Sequence, residues 1–532
     1  VTVTGPAGRR AAGTAPAALG PREINLIIFG LLLAIFLSAV DGTIVSTALP
    51  TIVGDLGGFD QLTWVVTSYF VTSTVATLVF GRVSDLYGRR PVFLFSIGAF
   101  LVASALAGMS RSMTELVAFR ALQGIGGGAL QALAFIILGD ILSPRERGRY
   151  MGWFTGTFAL SGLVGPLLGG LIVDSGALGW RWIFYLNLPI GAVTLVVVGR
   201  YLRLPHRPAQ VGLDWPGALL LSVGVGALLV AASIGGVNVA WSSPVIVVLL
   251  VGGSLFTVAF VVQELRAEAP ILPLRLFGND VFAVGMLLAF LTGAAVMSAN
   301  IFLPLFLQVV TGASATLSGL LLAPMMLGLT VASVVAGRRI TNTGTYRHLV
   351  RTGPLISVVG IIGLSLLGTD SHPWSATPFV VVNGIGMGLM MPALSIAIQN
   401  GVGFRDLGVA TSANTFFRTL GMTCGVAVFG ALMAARLRGE LERRLPADVA
   451  GDLDVAELTG SPETIRQLPD SIQVPVVASV AEAVNLVYLA AVPVALAAAV
   501  AAFLLRGVPL RERSPMEEAA AEDAEARPTG EE

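Results

Sequence analysis

Fourteen apolar stretches, each close to the length of one membrane crossing and bounded by charged or helix-breaking residues, run through this 532-residue chain. A helix rises 1.5 Å per residue, so about 20 apolar residues span about 30 Å of hydrocarbon. Only 12% of the residues are charged and 55% are hydrophobic; soluble domains carry roughly 25% charged residues. The mean hydropathy of +0.83 agrees. The bilayer is therefore the solvent, and the expected fold class is all-α integral membrane with fourteen spans.

Reading the apolar stretches against Gly, Pro and charge breaks places spans near 24–47, 60–80, 92–109, 114–139, 147–173, 183–203, 215–235, 244–265, 281–310, 317–337, 349–368, 376–400, 405–433 and 480–506. Every side-chain amine is missing, for the chain has no lysine and all 32 of its cations are arginine, a mark of GC-rich bacterial coding. One set of alternate loops carries sixteen of them, including Arg82, Arg145, Arg200, Arg266, Arg338 and Arg405; the short loops of the other set carry only Arg111 and Arg181. Short cytoplasmic loops retain positive charge, so both termini are expected in the cytoplasm of a bacterial cell whose plasma membrane holds the chain. A long outer loop is expected over 434–479, whose arginines escape the charge rule because long loops translocate regardless of charge.

The organisation expected from these breaks is a disordered cytoplasmic arm (1–22), a six-helix bundle (23–203), a linker with two extra spans (204–280), a second six-helix bundle (281–506) and an acidic disordered tail (507–532). The first apolar run is longer than a signal peptide's core and lacks a cleavage signal, so it is expected to remain in the mature chain. Several function classes fall away. Net charge is +0, which gives no pull toward nucleic acid. Cys424 is the single cysteine, and His206, His348 and His372 are scattered, so no metal site is expected. A lysine-free chain has no phosphate-binding G-x4-G-K-[ST] loop, and no nucleophile, base and metal constellation marks an enzyme.

Four motifs carry chemistry. Between the second and third spans lies Gly81-Arg-Val-Ser-Asp85-Leu-Tyr-Gly88-Arg89-Arg90, where the glycines permit a tight reversal and Asp85 has an arginine or a helix N-terminus to pair with. The matching place in the second half, Gly337-Arg338-Arg339-Ile-Thr341-Asn-Thr-Gly344, lacks the acid. In the fourth span Arg120 is followed by Gln123, Gly124 and Gly127 on one helical face. An isolated charge there costs about 2.5–3.5 kcal/mol on insertion scales, so Arg120 needs a partner or water. The first span ends Val40-Asp41-Gly42-Thr43-Ile44-Val45-Ser46-Thr47-Ala48-Leu49-Pro50, and Asp41 is the one acid well inside a span. A carboxyl in such a place is pulled two ways, burial favouring its protonated form and a neighbouring cation its ionised form, so changing water access loads and releases a proton. The fifth span contains Gly152, then Gly165-Pro166-Leu-Leu-Gly169-Gly170. Pro166 cannot donate a backbone hydrogen bond and crowds the carbonyl of Gly162, which bends the helix, while the glycines allow close packing, expected across the interface between the halves.

Together these motifs resemble those of the fourteen-helix drug/proton antiporter family of the major facilitator superfamily, over roughly residues 24–510. Two positions depart in the first-span motif (Val40, Ser46), and Ser161 replaces a glycine in the fifth. The resemblance implies two six-helix bundles with two extra helices between them, proton coupling through Asp41 and Arg120, a cytoplasmic gate of Gly81, Asp85, Gly88, Arg89 and Arg90, and an antiporter motif of Gly152, Gly165, Pro166, Gly169 and Gly170. It implies export of hydrophobic or amphiphilic small molecules by a monomer, with no cofactor beyond the proton gradient. Candidates for lining the substrate cavity are Trp64, Tyr69, Gln123, Asn300, Gln308, Asn383, Asn414 and Arg418. With no acid away from a helix end, the second half disfavours dications. The rival readings are an uptake symporter and a membrane sensor or channel without turnover.

Overall fold

The computed structural model describes residues 20–57, 61–174, 179–204, 212–235, 239–445, 465 and 468–511. Most of the expected arm and nearly all of the acidic tail lie outside the described residues. Among the described residues fourteen helices are long and apolar enough to cross a membrane: α1 Pro21–Leu56, α2 Leu62–Tyr87, α3 Arg89–Met109, α4 Met113–Ile141, α5 Pro144–Asp174, α6 Trp182–Tyr201, α7 Trp215–Ile234, α8 Pro244–Glu264, α9 Asp280–Val309, α10 Ala315–Thr343, α11 Arg347–Ser365, α12 Thr377–Gly401, α13 Leu407–Arg444 and α14 Asp470–Leu504. Several starts are set by side chains that accept the otherwise unpaired N–H groups of a first turn, each worth about 1 kcal/mol. Ser112 accepts from Glu115, Asp214 from Gly217, Asn279 from Val281 and Phe282, and Ser314 from Leu317.

Helices α1–α6 pack on one another, as do α9–α14, giving two six-helix bundles. The pair α7 and α8 packs together and rests through α7 on α2 and α13, along the seam between the bundles. Valines and leucines of α8 such as Val245, Val248 and Leu255 stay exposed, the surface that lipid covers.

Two expected stretches end differently. Within the loop expected over 434–479, α13 continues through Arg444 and α14 already begins at Asp470. Charged residues there form a helix because Glu440 pairs with Arg436 and Arg444 at i±4 and with Arg443 at i+3. The first residues of the expected tail, 507–511, are ordered against the second bundle. Val508 N–H donates to the Tyr346 hydroxyl at 3.0 Å, Arg511 N–H to Asn400 Oδ1 at 3.0 Å, and Asn400 Nδ2 to Pro509 O at 3.0 Å.

Among the described residues the closest approaches between the bundles lie at the end where α1 starts and α14 finishes. There α5 and α10 approach until no Cβ fits at Gly148, which faces the Gly337 carbonyl, or at Gly152, which faces Val334; Gly156 touches Thr330 a turn further on. Among the described residues the hydrogen bonds that cross between bundles all lie at this end. Toward the opposite end the close approach stops, and Leu163 of α5 and Leu327 of α10 are 42% and 65% exposed. The structure is closed at the end that carries the termini and splayed at the other.

Candidate functional site

Asp41 of α1 and Arg120 of α4 are 0% and 1% exposed, and they meet. Arg120 Nη1 donates to Asp41 Oδ2 at 2.5 Å and to Gln123 Oε1 at 2.8 Å, and its Nε donates to Val65 O at 3.3 Å. The guanidinium lies 4.3 Å from the Tyr69 ring centroid, a contact that offsets part of its lost hydration. Asp41 Oδ1 accepts from Gln123 Nε2 at 2.7 Å and from Asn187 Nδ2 at 2.8 Å. Ser104 Oγ accepts from Gln123 and Asn187 and donates to Phe184 O at 2.8 Å.

Helices α4 and α6 thus converge on one carboxylate of α1, which accepts three hydrogen bonds, and Ser104 of α3 ties Gln123 to Asn187 behind it. A buried pair of this kind tolerates loss of both charges better than loss of one, since a stranded charge costs about 3–5 kcal/mol. Asn187 and Ser104 belong to this cluster although neither stands out in the sequence. The signals pointing to Asn187 are its place in the stretch Trp180-Arg181-Trp182-Ile-Phe184-Tyr185-Leu-Asn187-Leu-Pro189, which resembles the family's, and its being a polar residue one turn into an apolar helix.

A second set of polar residues sits at the closed end. Gly88, at φ +93°, makes the turn from α2 to α3 in a conformation that side chains disfavour. Just beyond it Arg89 reaches Asp85 Oδ1 at 2.5 Å, Asp140 Oδ2 at 2.7 Å and Ser84 Oγ at 2.6 Å. The Asp85 carboxylate and Arg89 guanidinium lie over Gly408, in the first turn of α13 of the other bundle, and leave no space for a Cβ there. A carboxylate at a helix N-terminus is stabilised by the unpaired N–H groups. Gly81 is likewise pressed against Ser412. Arg90 lies apart, turned to the carbonyl of Gly199 on α6 at 2.6 Å.

The degenerate repeat is also used. Thr341 Oγ1 donates to Arg145 O at 2.9 Å, and Arg145 Nε donates to Thr341 O at 2.7 Å. Beside them the fully buried Arg147 of α5 reaches Gln399 Oε1 of α12 at 2.8 Å, along with the carbonyls of Leu142 and Gly139. In the sequence Arg147 is one of sixteen loop arginines, and nothing there separates it from those that only mark topology.

The glycines of α5 divide between two partners, which corrects the expectation that all of them face the other half. Gly152 faces α10, but Gly165 and Gly169 press on Thr43, Ile44 and Thr47 of α1 within their own bundle. Gly170 has open space beside it, and Pro166 lies inside the helix. Thr43 Oγ1 donates to Ser161 O at 3.2 Å, so this contact bears on the helix segment that carries Asp41.

The expected cavity residues also divide. Gln123 and Tyr69 belong to the Asp41 cluster, Tyr69 being 2% exposed with its hydroxyl donating to Ser38 O. Asn383, 1% exposed, accepts from Ser357 inside the second bundle. These three are removed from an open cavity because each is spent inside its own bundle. Trp64, Gln308, Asn414 and Arg418 are half-buried, with Asn414 Nδ2 donating to Ser395 Oγ at 3.1 Å. The side chain of Asn300 lies outside the described residues.

The model of the Major Facilitator Superfamily matches residues 31–426. The multidrug transporter protein MdtP of Bacillus subtilis is 38% identical over 464 residues, covering 84% of this chain and 85% of that one. Multidrug resistance protein 3 of Bacillus subtilis is 38% identical over 491 residues, covering 90% and 95%. Among solved structures, the proton:xylose symporter XylE shares the fold, with a TM-score of 0.63 at 14% identity over 94% of this chain and 100% of that one. The homologues and the fold are those of transporters, and this chain belongs to the major facilitator superfamily, in its drug-efflux branch.

Proposed function

We propose that the chain is a proton-coupled antiporter that exports small hydrophobic or amphiphilic compounds, such as drugs, antibiotics or lipid-like metabolites, by alternating access. The observation that carries this reading is the buried Asp41–Arg120 pair, with Gln123 and Asn187 filling the rest of the carboxylate. A proton on Asp41 removes its charge and strands Arg120, so proton binding is coupled to a rearrangement worth about 3–5 kcal/mol. The relatives named for multidrug transport support the substrate class, and the α5 glycines that seat α1 support coupling between Asp41 and the helix at the seam.

By the arginine distribution both termini lie in the cytoplasm, so the closed end faces inward and the splayed end faces out. Asp85, Arg89, Arg145, Arg147, Thr341 and Gln399 then form the cytoplasmic gate. The transporter acts as a monomer in the bacterial plasma membrane, with the proton gradient as its energy source and no cofactor.

Replacing Asp41 by Asn is expected to abolish proton-driven efflux while leaving membrane insertion intact. The measurement is accumulation of a fluorescent amphiphile by inside-out vesicles, with and without a protonophore. Undiminished gradient-driven transport by the variant overturns the coupling role, and accumulation only in right-side-out vesicles overturns export.

A further inference from the structure

The second bundle contains a half-buried cation that the proton site does not use. Arg418 lies eleven residues into α13, about 17 Å along the helix, which places it near the middle of the hydrocarbon. It is half-buried. No ion pair or hydrogen bond engages its side chain among the described residues, and none of its nitrogens is sealed off without a partner. Its guanidinium is thus left without a protein partner among the described residues.

Helical phase gives the direction. Gly408 and Ser412 of α13 meet α2 of the opposite bundle, and Gly421 and Gly425 meet Phe290 and Ala294 of α9. At 100° per residue Arg418 falls between these two stripes, nearer the one on α9, and so faces the gap between α9 and α2 of the opposite bundle, with its own backbone packed on Gly293 of α9. One turn earlier Asn414 faces the same way and binds Ser395 of α12. The described acids of the second bundle are elsewhere: Asp280, Asp406 and Asp470 at helix starts, Asp370 in a loop, Glu442 in the last turn of α13, and Glu440 and Glu482 in the arginine cluster beside it.

An unpaired guanidinium is tolerable while water fills the cleft. When the cleft closes, that water leaves, and the charge must take a counter-ion or oppose closure. Arg120 carries its own carboxylate; Arg418 has none. We infer that Arg418 is the recognition group for an anionic substrate, and that the compounds moved are amphiphiles with a carboxylate or phosphate head on an apolar body. A guanidinium suits either head because its planar N–H fork matches both bidentately. This inference rests on the reading of the central cleft as the transport path and names its cargo.

The test is binding to the purified full chain in nanodiscs, read by fluorescence, with four probes that share one ring system: naphthalene carboxylate, naphthyl phosphate, the neutral naphthalene carboxamide and the cationic naphthylmethylammonium. The wild type is expected to bind one or both anions about tenfold or more tighter than the amide and the cation. Arg418→Gln is expected to erase that preference while leaving the amide unchanged, and Arg418→Lys to restore part of it for the phosphate. Stronger binding of the carboxylate or of the phosphate identifies the head group. Equal affinity of the wild type for anion and amide overturns the inference without any variant, and so does an anion preference that survives in Arg418→Gln. Binding needs no proton gradient, so the anion preference of the wild type is read at equilibrium, independently of coupled transport. Failure of coupled transport and failure of this assignment are thereby read separately.

Discussion

The first bundle buries a carboxylate and a guanidinium together, with Gln123, Asn187 and Ser104 filling their remaining hydrogen bonds. The second bundle repeats the six-helix plan and holds a half-buried guanidinium alone, while its interior amides Asn383, Asn414 and Gln399 are neutral, the first two bound within the bundle and Gln399 shared between Thr411 and Arg147 across the seam. At the closed end the same asymmetry returns. The first bundle supplies the ionic groups Asp85, Arg89, Arg145 and Arg147; the second answers with a glycine, a hydroxyl, a carbonyl and an amide. One half carries an internally balanced charge set that a proton upsets. The other half offers neutral surfaces and one cation that its own side chains leave unmatched.

The sharpest way to break this comparison is to truncate each arginine. Arg120→Ala strands Asp41 and is expected to cost about 3–5 kcal/mol of stability, whereas Arg418→Ala is expected to cost less than about 1 kcal/mol, since it severs no pair. Denaturant unfolding in detergent decides, and equal losses would show that Arg418 has a structural partner.

A valine at Gly408 or Gly148 drives a side chain into Asp85 or into Gly337. Overpacking of this kind costs about 1–3 kcal/mol, so the closed end is expected to open in roughly ten- to hundredfold more molecules, as reported by spin-label distances between α5 and α10. Thr341→Val removes the hydroxyl that donates to Arg145 O across the seam. A hydrogen bond of this kind is worth about 0.5–1.5 kcal/mol, so the variant is expected to open the closed end in no more than about tenfold more molecules, read by the same spin-label distances.

The smallest effect lies at the opposite end. There hydrogen bonds from Trp180 at 2.9 Å and Arg181 at 2.8 Å hold the Asp55 carboxyl below the usual carboxylate range. Its folded value is the lower one, so its contribution is complete above the unfolded value of about 4 and fades as pH falls through the folded value. A pH titration of stability is expected to show Arg181→Gln differing from the wild type at neutral pH and converging with it in strong acid, with transport unchanged.

Much of the fold was legible because hydrocarbon imposes a length on every crossing, and the expected spans coincide with α1 through α14 to within a few residues except at α1, α2, α10, α13 and α14. The largest of those differences have one cause. A helix that leaves the bilayer loses its apolar pattern, and the turns around Arg436, Glu440 and Arg444 are held by ion pairs between neighbouring turns. Asp41 and Arg120 were legible one at a time, because a charge inside an apolar run is costly enough to demand an explanation. Asn187, Ser104 and the Arg147–Gln399 contact were hidden. Neutral polar residues are common in such helices, and a loop arginine has the same composition whether it marks topology or crosses a seam.

By itself the sequence determined the number of crossings, the alternation of arginine-rich loops, and the presence of one acid and one arginine in the interior of the first half, since desolvation and helix length act residue by residue. Only the tertiary structure decided which of these groups meet, that Gly165 and Gly169 serve α1 while Gly152 serves α10, that the bundles close at one end, and that Arg418 has no partner among the described residues. Those facts depend on the phase and approach of helices distant in sequence, and no local pattern fixes which face of one helix meets which face of another.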